Sequence, residues 1–265
     1  MHAPQVSLRQ ARMALMAVMA TKPLADRIAL VTGASRGIGY ALAVKLAAAG
    51  AHVVAVARTV GGLEEVDDAI RDAGSAATLV PLDLTDYPGI DRLGVALNQR
   101  YGRLDVLVGN AGILGQVSPL GHVEAKAWDE AIAVNVTANW RLIRAMDPLL
   151  QRSDAGRAVF VTSGAASNTR AYLGPYAVSK AALDALVRTY AAETASTPVR
   201  VNLFNPGPTR TRMRATFMPG EDPSTLPRPD RVAEKIVALC LPDFQETGKL
   251  YDYRAQRLLE FRAPE

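Results

Sequence analysis

The sequence has 265 residues, of which 49% are hydrophobic and 21% charged, a composition typical of a globular protein with one large core. The 30 basic and 26 acidic residues give a net charge of +4 and are spread along the whole chain, so no basic block indicates nucleic-acid binding. The single cysteine, Cys240, excludes an intrachain disulfide, and the three histidines lack metal-ligand spacing, which predicts that the protein binds no metal.

Residues 1–24 form the first predicted segment, an N-terminal extension ahead of the folded domain. Arg9 and Arg12 precede the apolar run MALMAVMA and faintly resemble the charged and apolar regions of a secretory signal. The run is short and rich in methionine, so we interpret the segment as a frayed extension or a short docking helix and expect a cytoplasmic protein. No apolar run reaches the roughly 18 residues that span a bilayer, which predicts no membrane partner.

Residues 25–265 are predicted to form one domain in which short apolar strands alternate with longer helical stretches rich in Ala and Leu. Such alternation is typical of an α/β fold with a doubly wound parallel sheet, and uniformly apolar strands indicate that helices cover both sheet faces. The predicted strands are 28–32 (IALVT), 52–56 (HVVAV), 78–82 (TLVPL), 105–109 (DVLVG), 158–162 (AVFVT) and 199–204 (VRVNLF). After residue 231 the sequence predicts one more helix and a tail.

The long segment 206–230 is predicted to be irregular, because five prolines follow Pro206. A loop of this length in a compact domain is usually a lid or a binding loop, so we expect it to contact the substrate. Two interpretations stay open: an apolar lining by Met213, Phe217 and Met218, or attraction of an acidic substrate by the alternating arginines, which are Arg210, Arg212 and Arg214.

The turn TGASRGIG joins the first strand to an Ala-rich helix and carries Gly33, Gly37 and Gly39. Glycines at such a turn let the backbone approach a pyrophosphate closely, and amide groups at the helix N-terminus meet its charge. Further along, Tyr176 and Lys180 in YAVSK are four residues apart, so they share one face of a predicted helix. An ammonium beside a phenol lowers the pKa of the phenol, which can then exchange a proton near neutral pH.

Taken together, TGASRGIG, GNAG (109–112), YAVSK and NPGPTRT (205–211) resemble the short-chain dehydrogenase/reductase family over about residues 25–245, near a bacterial branch known mostly as oxidoreductases of unassigned substrate. The resemblance implies a Rossmann fold and hydride transfer between a nicotinamide and a carbonyl or secondary alcohol. It implies four catalytic residues, Asn135, Ser163, Tyr176 and Lys180. It implies a cofactor site formed by Gly33, Ser35, Arg36, Gly37, Ile38, Gly39, Arg58, Asp83, Leu84, Asn110, Ala111, Gly112, Tyr176, Lys180, Pro206, Gly207, Thr209 and Thr211.

The end of the second strand indicates which nicotinamide cofactor is preferred. Enzymes that use NAD usually place an acidic residue there, whereas this chain has Ala57 followed by Arg58. A guanidinium can hold a 2′-phosphate through paired, charge-assisted hydrogen bonds, and the resemblance places Arg36 near the same phosphate. We therefore expect NADP(H), with NAD(H) as the alternative.

Two departures from the family pattern limit what the resemblance implies. Gly109 stands where the family usually has an asparagine, so that polar contact is lost and Asn110 becomes the main support of the turn. The C-terminus lacks the family's usual Asp-Gly-Gly ending, which leaves a homodimer and a homotetramer both open. Two other functions also stay open: an NADP(H)-binding sensor or scaffold without catalysis, and reduction of a carbon–carbon double bond.

Overall fold

A computed structural model describes residues 22–261, in which eight strands form one sheet in the order β3-β2-β1-β4-β5-β6-β7-β8. Seven strands run parallel, and β8 pairs with β7 in the antiparallel direction. The strands are β1 (Ile28–Thr32), β2 (His52–Ala57), β3 (Ala77–Pro81), β4 (Val106–Gly109), β5 (Arg157–Val161), β6 (Arg200–Asn205), β7 (Leu250–Asp252) and β8 (Arg257–Leu259).

Eight α-helices connect or flank the strands in the described part of the chain. They are α1 (Gly37–Ala48), α2 (Val60–Asp72), α3 (Tyr87–Tyr101), α4 (Ala125–Ile132), α5 (Ala138–Leu150), α6 (Gly174–Glu193), α7 (Arg212–Phe217) and α8 (Pro229–Leu239). Local sequence explains their ends: in α3 the Asp86 side chain accepts a hydrogen bond from the Gly89 amide, and Gly102 ends the helix in the left-handed region at φ +72°.

The core has two parts, one on each face of the sheet. Ala29 and Val31 of β1 pack in the part that α1, α2 and α8 cover, whereas Leu30 points into the part that α3, α5 and α6 cover. A strand buried on both sides gains nothing from polar alternation, which explains its continuous apolar sequence. The predicted doubly wound α/β fold is thereby confirmed.

The six predicted strands all form, with bounds that shift by at most one residue at either end. The predicted helix near residue 231 also forms, but the tail after it contains β7 and β8, which the sequence analysis missed. Each of these strands has only three residues, too few for a period-two pattern to appear.

Three further expectations concern single residues or short segments. Leu24 is fully buried and its amide donates to the Ala49 carbonyl, so residues 22–24 pack on the domain, while residues 1–21 of the predicted extension lie outside the described residues. The sequence suggests packing roles for both Trp128 and Trp140, but Trp140 is 43% exposed and lies against Arg141. A single cysteine in such a sequence is expected to be a small, buried apolar residue, and Cys240 is buried.

The order of the strands determines where a ligand-binding crevice can form. The winding of the sheet reverses between β1 and β4, which are neighbours in the sheet although β2 and β3 follow β1 in sequence. Loops leaving the carboxyl ends of β1 and β4 therefore run to opposite sides and open a crevice between them, which is where ligands bind in sheets of this kind. All predicted site residues except Asn135, Tyr176 and Lys180 follow the carboxyl end of a strand.

Candidate active site

The glycine turn lies at the carboxyl end of β1 and leads directly into α1. Gly33 and Gly37 have φ of +66° and +59°, a region that side chains disfavour. A Cβ atom on Gly39 would lie 2.2 Å from the Gly33 carbonyl oxygen, so the turn closes only with glycine there. The predicted residues Ser35 and Ile38 lie half-buried in this turn, whose amides at the start of α1 can hold an anion.

Thr32 joins the glycine turn to the loop after β4. Its buried Oγ1 accepts hydrogen bonds from the amides of Asn110 (3.0 Å) and Ala111 (3.1 Å), and the Asn110 Nδ2 donates to the Thr32 carbonyl at 2.9 Å. The predicted support from Asn110 is therefore present, and it holds Ala111 and Gly112 beside the glycine turn. Thr32 was not among the predicted site residues, although it is the first residue of the TGASRGIG motif.

The surroundings of Gly109 leave no room for a larger side chain. A Cβ atom at this position would lie 2.4 Å from Phe160 Cδ1 and 2.5 Å from Asn139 Oδ1. Both side chains are buried, at 0% and 3% exposure. The space that an asparagine at 109 would need is thus filled by side chains from β5 and α5, which the sequence pattern around residue 109 could not reveal.

Arg58 and Asp83 meet at the ends of β2 and β3. The Arg58 Nη1 lies 3.8 Å from an Asp83 carboxylate oxygen, and both side chains are largely exposed. Hydrogen bonds from Thr85 hold the pKa of Asp83 below its usual value, with Arg58 contributing. Leu84 is buried beside them. Arg36, on the glycine turn, is also exposed. Both arginines are thus accessible to an anion.

The loop after β6 returns to the glycine turn. Thr211 lies against the start of α1, since a Cβ atom added to Gly37 would be 3.5 Å from Thr211 Cγ2. Gly207, at φ +62°, makes the turn between Pro206 and the buried Thr209. The predicted residues of the first and last cofactor motifs are therefore neighbours in space.

Asn205 links this loop to the loop after β5, although it was not among the predicted site residues. Its Oδ1 accepts hydrogen bonds from the amides of Gly164 and Gly207, both at 3.1 Å. Its Nδ2 donates to Asp252 in β7 at 2.9 Å. The only sequence signal is its place as the first residue of NPGPTRT.

Asn135 lies in a π-helical segment, Ala133–Thr137, between α4 and α5. Its fully buried side chain accepts from the Ile113 amide at 2.8 Å and donates to the Ile113 carbonyl and to Ser179 Oγ, both at 2.9 Å. The catalytic role that the resemblance implies for Asn135 stays a prediction, since these contacts bind the side chain to the protein's own groups. Single-turn π segments recur at functional sites, where they place one side chain out of helical register.

Ser163, Tyr176 and Lys180 come together where β5 meets α6. The Lys180 Nζ donates to the Val161 carbonyl at 2.7 Å and lies 5.8 Å from the centre of the Tyr176 ring. Burial raises the pKa of Tyr176 above its usual value of 10, and its hydrogen bond with Ser163 opposes this rise. The expected lowering of this pKa by Lys180 is therefore wrong: burial penalises the phenolate, and the group that opposes the rise is Ser163 rather than the ammonium.

The loop from Pro206 to Asp230 is partly regular, since it contains α7 and a short 3-10 turn, Pro223–Thr225. Met213 and Met218 are 37% and 38% exposed, as an apolar lining requires. The Arg214 guanidinium is held by Glu221 through two contacts of 2.5 and 2.6 Å, whereas Arg210 and Arg212 are exposed. Of the three alternating arginines, Arg210 and Arg212 therefore remain open to an acidic ligand.

Residues 22–261 contain neither a cluster suited to a metal ion nor a helix suited to a bilayer. No group of three or more His, Cys, Asp or Glu side chains in this range is arranged to hold a metal. No helix within the same range is long and apolar enough to cross a membrane. What the geometry offers is a phenol, a hydroxyl and a buried ammonium beside a turn that suits a phosphate.

Comparison with known proteins agrees with this arrangement. Residues 27–222 match the family model described as short chain dehydrogenase. The chain is 37% identical over 238 residues to the uncharacterised oxidoreductase YciK of Escherichia coli K12, an alignment that covers 88% of this chain and 94% of that protein.

Solved structures share a similar percentage of identical residues with the chain. A short chain dehydrogenase of Shigella flexneri 2a strain 301, complexed with NADP, has a TM-score of 0.85 at 36% identity and covers 88% of this chain and 99% of that one. One from Escherichia coli CFT073, complexed with NADPH, has a TM-score of 0.84 at 37% identity, with coverage of 88% and 98%. The chain belongs to the short-chain dehydrogenase family of oxidoreductases.

Proposed function

We propose that this protein is an NADP(H)-dependent oxidoreductase that interconverts a carbonyl and a secondary alcohol, with Tyr176 as the general acid or base. The observation that carries the proposal is the meeting of Tyr176, Ser163 and Lys180 at the carboxyl edge of the sheet, on the crevice that the glycine turn lines. A proton donor, a hydroxyl and a cation are the groups that a carbonyl needs when it becomes an alkoxide.

The residues of the crevice fit a dinucleotide phosphate. The glycine turn offers amides at the N-terminus of α1, and Gly33 and Gly39 let this turn pack closely on itself and on the loop after β4. Arg58 and Arg36 are exposed cations at the ends of β2 and β1, and the 3.8 Å contact of Arg58 with Asp83 leaves the guanidinium free to turn toward a 2′-phosphate. The structures complexed with NADP and NADPH support the same cofactor, and NAD(H) is the alternative.

The remaining predicted cofactor residues lie on the loops after β3, β4 and β6. Asp83 and Leu84 would hold the adenine, and the loop after β4 would hold the adenosine ribose. The loop after β6 would supply further contacts to the cofactor. The residues assigned to these two loops are Asn110, Ala111 and Gly112 on one side and Pro206, Gly207, Thr209 and Thr211 on the other.

The bound cofactor supplies or accepts the hydride, and the chain's own residues handle the proton. When the substrate carbonyl carbon gains a hydride, its oxygen takes the proton of the Tyr176 hydroxyl, and Ser163 holds that oxygen by a hydrogen bond. Asn135 positions the residues around Lys180, since it fixes Ile113 on one side and Ser179 on the other. The reverse direction needs the phenolate as a base.

In the free protein, the protonation states of Tyr176 and Lys180 suit donation of a proton to a substrate oxygen. Burial raises the pKa of Tyr176, so the phenol is protonated at neutral pH and ready to donate. Burial lowers the pKa of Lys180 to about 8, so its ammonium is still mostly charged at pH 7 and can stabilise the phenolate that forms after donation.

The test is Tyr176→Phe, assayed with NADPH and a panel of ketones, aldehydes and enones. The ring is kept and only the hydroxyl is lost, so we expect normal folding and NADPH binding but a fall in turnover by about 10²–10⁴. Tyr101→Phe is the matched control, because it removes a tyrosine hydroxyl at the opposite edge of the sheet, where Tyr101 contacts His52. Turnover within a few-fold of the parent protein in Tyr176→Phe would refute the role of the phenol, and activity on enones alone would indicate a double-bond reductase.

A further inference from the structure

A buried carboxylate lies behind the candidate catalytic pair and has no part in the proposed reaction. Asp184 follows Lys180 by four residues and Tyr176 by eight, so the three side chains lie along one face of α6. Asp184 is 8% exposed and Lys180 is 4% exposed. Charged side chains are rarely buried this deeply unless they are paired, so each of these two buried charges needs a partner within the protein.

The end of β5 contacts all three of these side chains in turn. The Val161 carbonyl accepts the hydrogen bond from Lys180 Nζ at 2.7 Å. The next residue, Thr162, is 2% exposed and its hydroxyl donates a hydrogen bond to Asp184 Oδ1. The residue after that, Ser163, hydrogen-bonds Tyr176. Three successive residues of one strand end thus hold the phenol, the ammonium and the carboxylate in fixed relation.

The charges on this helix face depend on one another. Burial lowers the pKa of Lys180 to about 8, and the Asp184 carboxylate opposes that fall. Burial raises the pKa of Asp184 to about 6, while Thr162, Lys180 and Arg188 act in the opposite direction. Among the described residues, Asp184 is the charged group that acts on Lys180, and Lys180 and Arg188 are those that act on Asp184.

We propose that Asp184 is a positioning residue whose negative charge keeps Lys180 protonated in its buried site and so acts on Tyr176 through Lys180. The hydrogen bond from Thr162 holds the carboxylate in place for this role. The effect on catalysis rests on the proposed function, whereas the effect on Lys180 protonation does not.

The proposal implies a pH window for the pair. Between about 6 and about 8, Asp184 is ionised and Lys180 is protonated, so both charges are present. Asp184→Asn keeps an oxygen that can accept from Thr162 but removes the charge. Lys180 should then lose its proton at a lower pH, which removes the cation that supports the Tyr176 phenolate.

The decisive experiment measures Lys180 directly, in the full chain labelled with 13C-lysine. The sequence contains six lysines, so the Cε signals are few, and Lys180→Arg assigns the one of interest. We expect the NMR titration midpoint of Lys180 to fall by about one pH unit or more in Asp184→Asn. Asp184→Glu, which keeps the charge, should restore most of the parent value.

Asp67→Asn is the matched control, because Asp67 is also 8% exposed but lies on α2, where it pairs with Arg71. An unchanged Lys180 midpoint in Asp184→Asn, equal to that in Asp67→Asn, would overturn the proposal. If Asp184→Asn does not fold, Asp184→Ser removes the same charge with a smaller side chain and gives the same test.

A second measurement separates this proposal from the proposed function. In the pH profile of kcat/KM, Asp184→Asn should move the alkaline limb to lower pH, and Asp184→Glu should return it. If the parent protein reduces no carbonyl compound, the proposed function fails while the NMR titration still tests Asp184. If activity is present but the alkaline limb stays in place in Asp184→Asn, Asp184 has no role through Lys180.

Discussion

Replacing Gly109 by asparagine, the residue that the family usually has there, should destabilise this protein. The new Cβ would lie 2.4 Å from Phe160 Cδ1 and 2.5 Å from Asn139 Oδ1, where ordinary contacts begin at 3.4 Å. Each overlap is therefore about 1 Å, and neither neighbour is a flexible chain end at the surface, because both are buried. Overpacking of this kind typically costs about 1–3 kcal/mol.

Thermal unfolding measures this cost. For a domain of this size, 1 kcal/mol corresponds to roughly 2–4 °C, so Gly109→Asn should lower Tm by about 2–12 °C. Gly61→Ala is the matched control: Gly61 lies in α2 with nothing within 4 Å of its added Cβ, so that variant should be neutral or stabilised by about 0.5–1 kcal/mol.

The involvement of Asn139 can be tested separately. In a Gly109→Asn/Asn139→Ala double variant one of the two overlaps is removed, so part of the lost stability should return, and the two single effects should fail to add. Because Asn110 follows directly, NADPH affinity should fall together with stability in Gly109→Asn. A Gly109→Asn protein as stable as the parent would refute the argument that Phe160 and Asn139 have taken this space.

The remaining predictions concern cofactor choice, the ammonium, acid stability and assembly. Arg58→Asp should weaken NADPH binding relative to NADH by about 1.5–3 kcal/mol, measured by fluorescence titration, and an unchanged preference would place the discrimination elsewhere. Lys180→Ala should weaken NADPH binding as well as turnover, unlike Tyr176→Phe, and full NADPH affinity in this variant would contradict contact with the cofactor. Burial and the nearby Arg100 lower the pKa of His52, so the folded state favours the neutral imidazole. The stability that this ring contributes is therefore complete above the unfolded pKa of about 6.5 and is lost as pH falls below that value. Tm should accordingly drop less between pH 7.5 and 5.5 in His52→Gln than in the parent. Light scattering should show a dimer or a tetramer, and a monomer at micromolar concentration would exclude both.

The sequence by itself determined the elements whose signals are local. Apolar strands, the glycine turn and the spacing of Tyr176 and Lys180 each occupy a short stretch of chain, and each follows from backbone sterics or helical pitch. The parallel sheet could be inferred from the alternation of strands and helices, because parallel strands need crossover connections. Fold class, family and the positions of the candidate site residues along the chain are therefore all readable from short stretches of sequence.

Tertiary structure decided what depends on residues far apart in sequence. Asn205 joins two loops, and the space beside Gly109 is filled by Asn139 and Phe160 from other elements. The direction of the Tyr176 pKa depends on burial, which a helical spacing cannot report. The contact of Thr162 with Asp184 spans 22 residues, and only the packing of β5 against α6 brings that carboxylate behind Lys180. Charge and desolvation act through space, so their balance is set by the folded arrangement rather than by the order of residues.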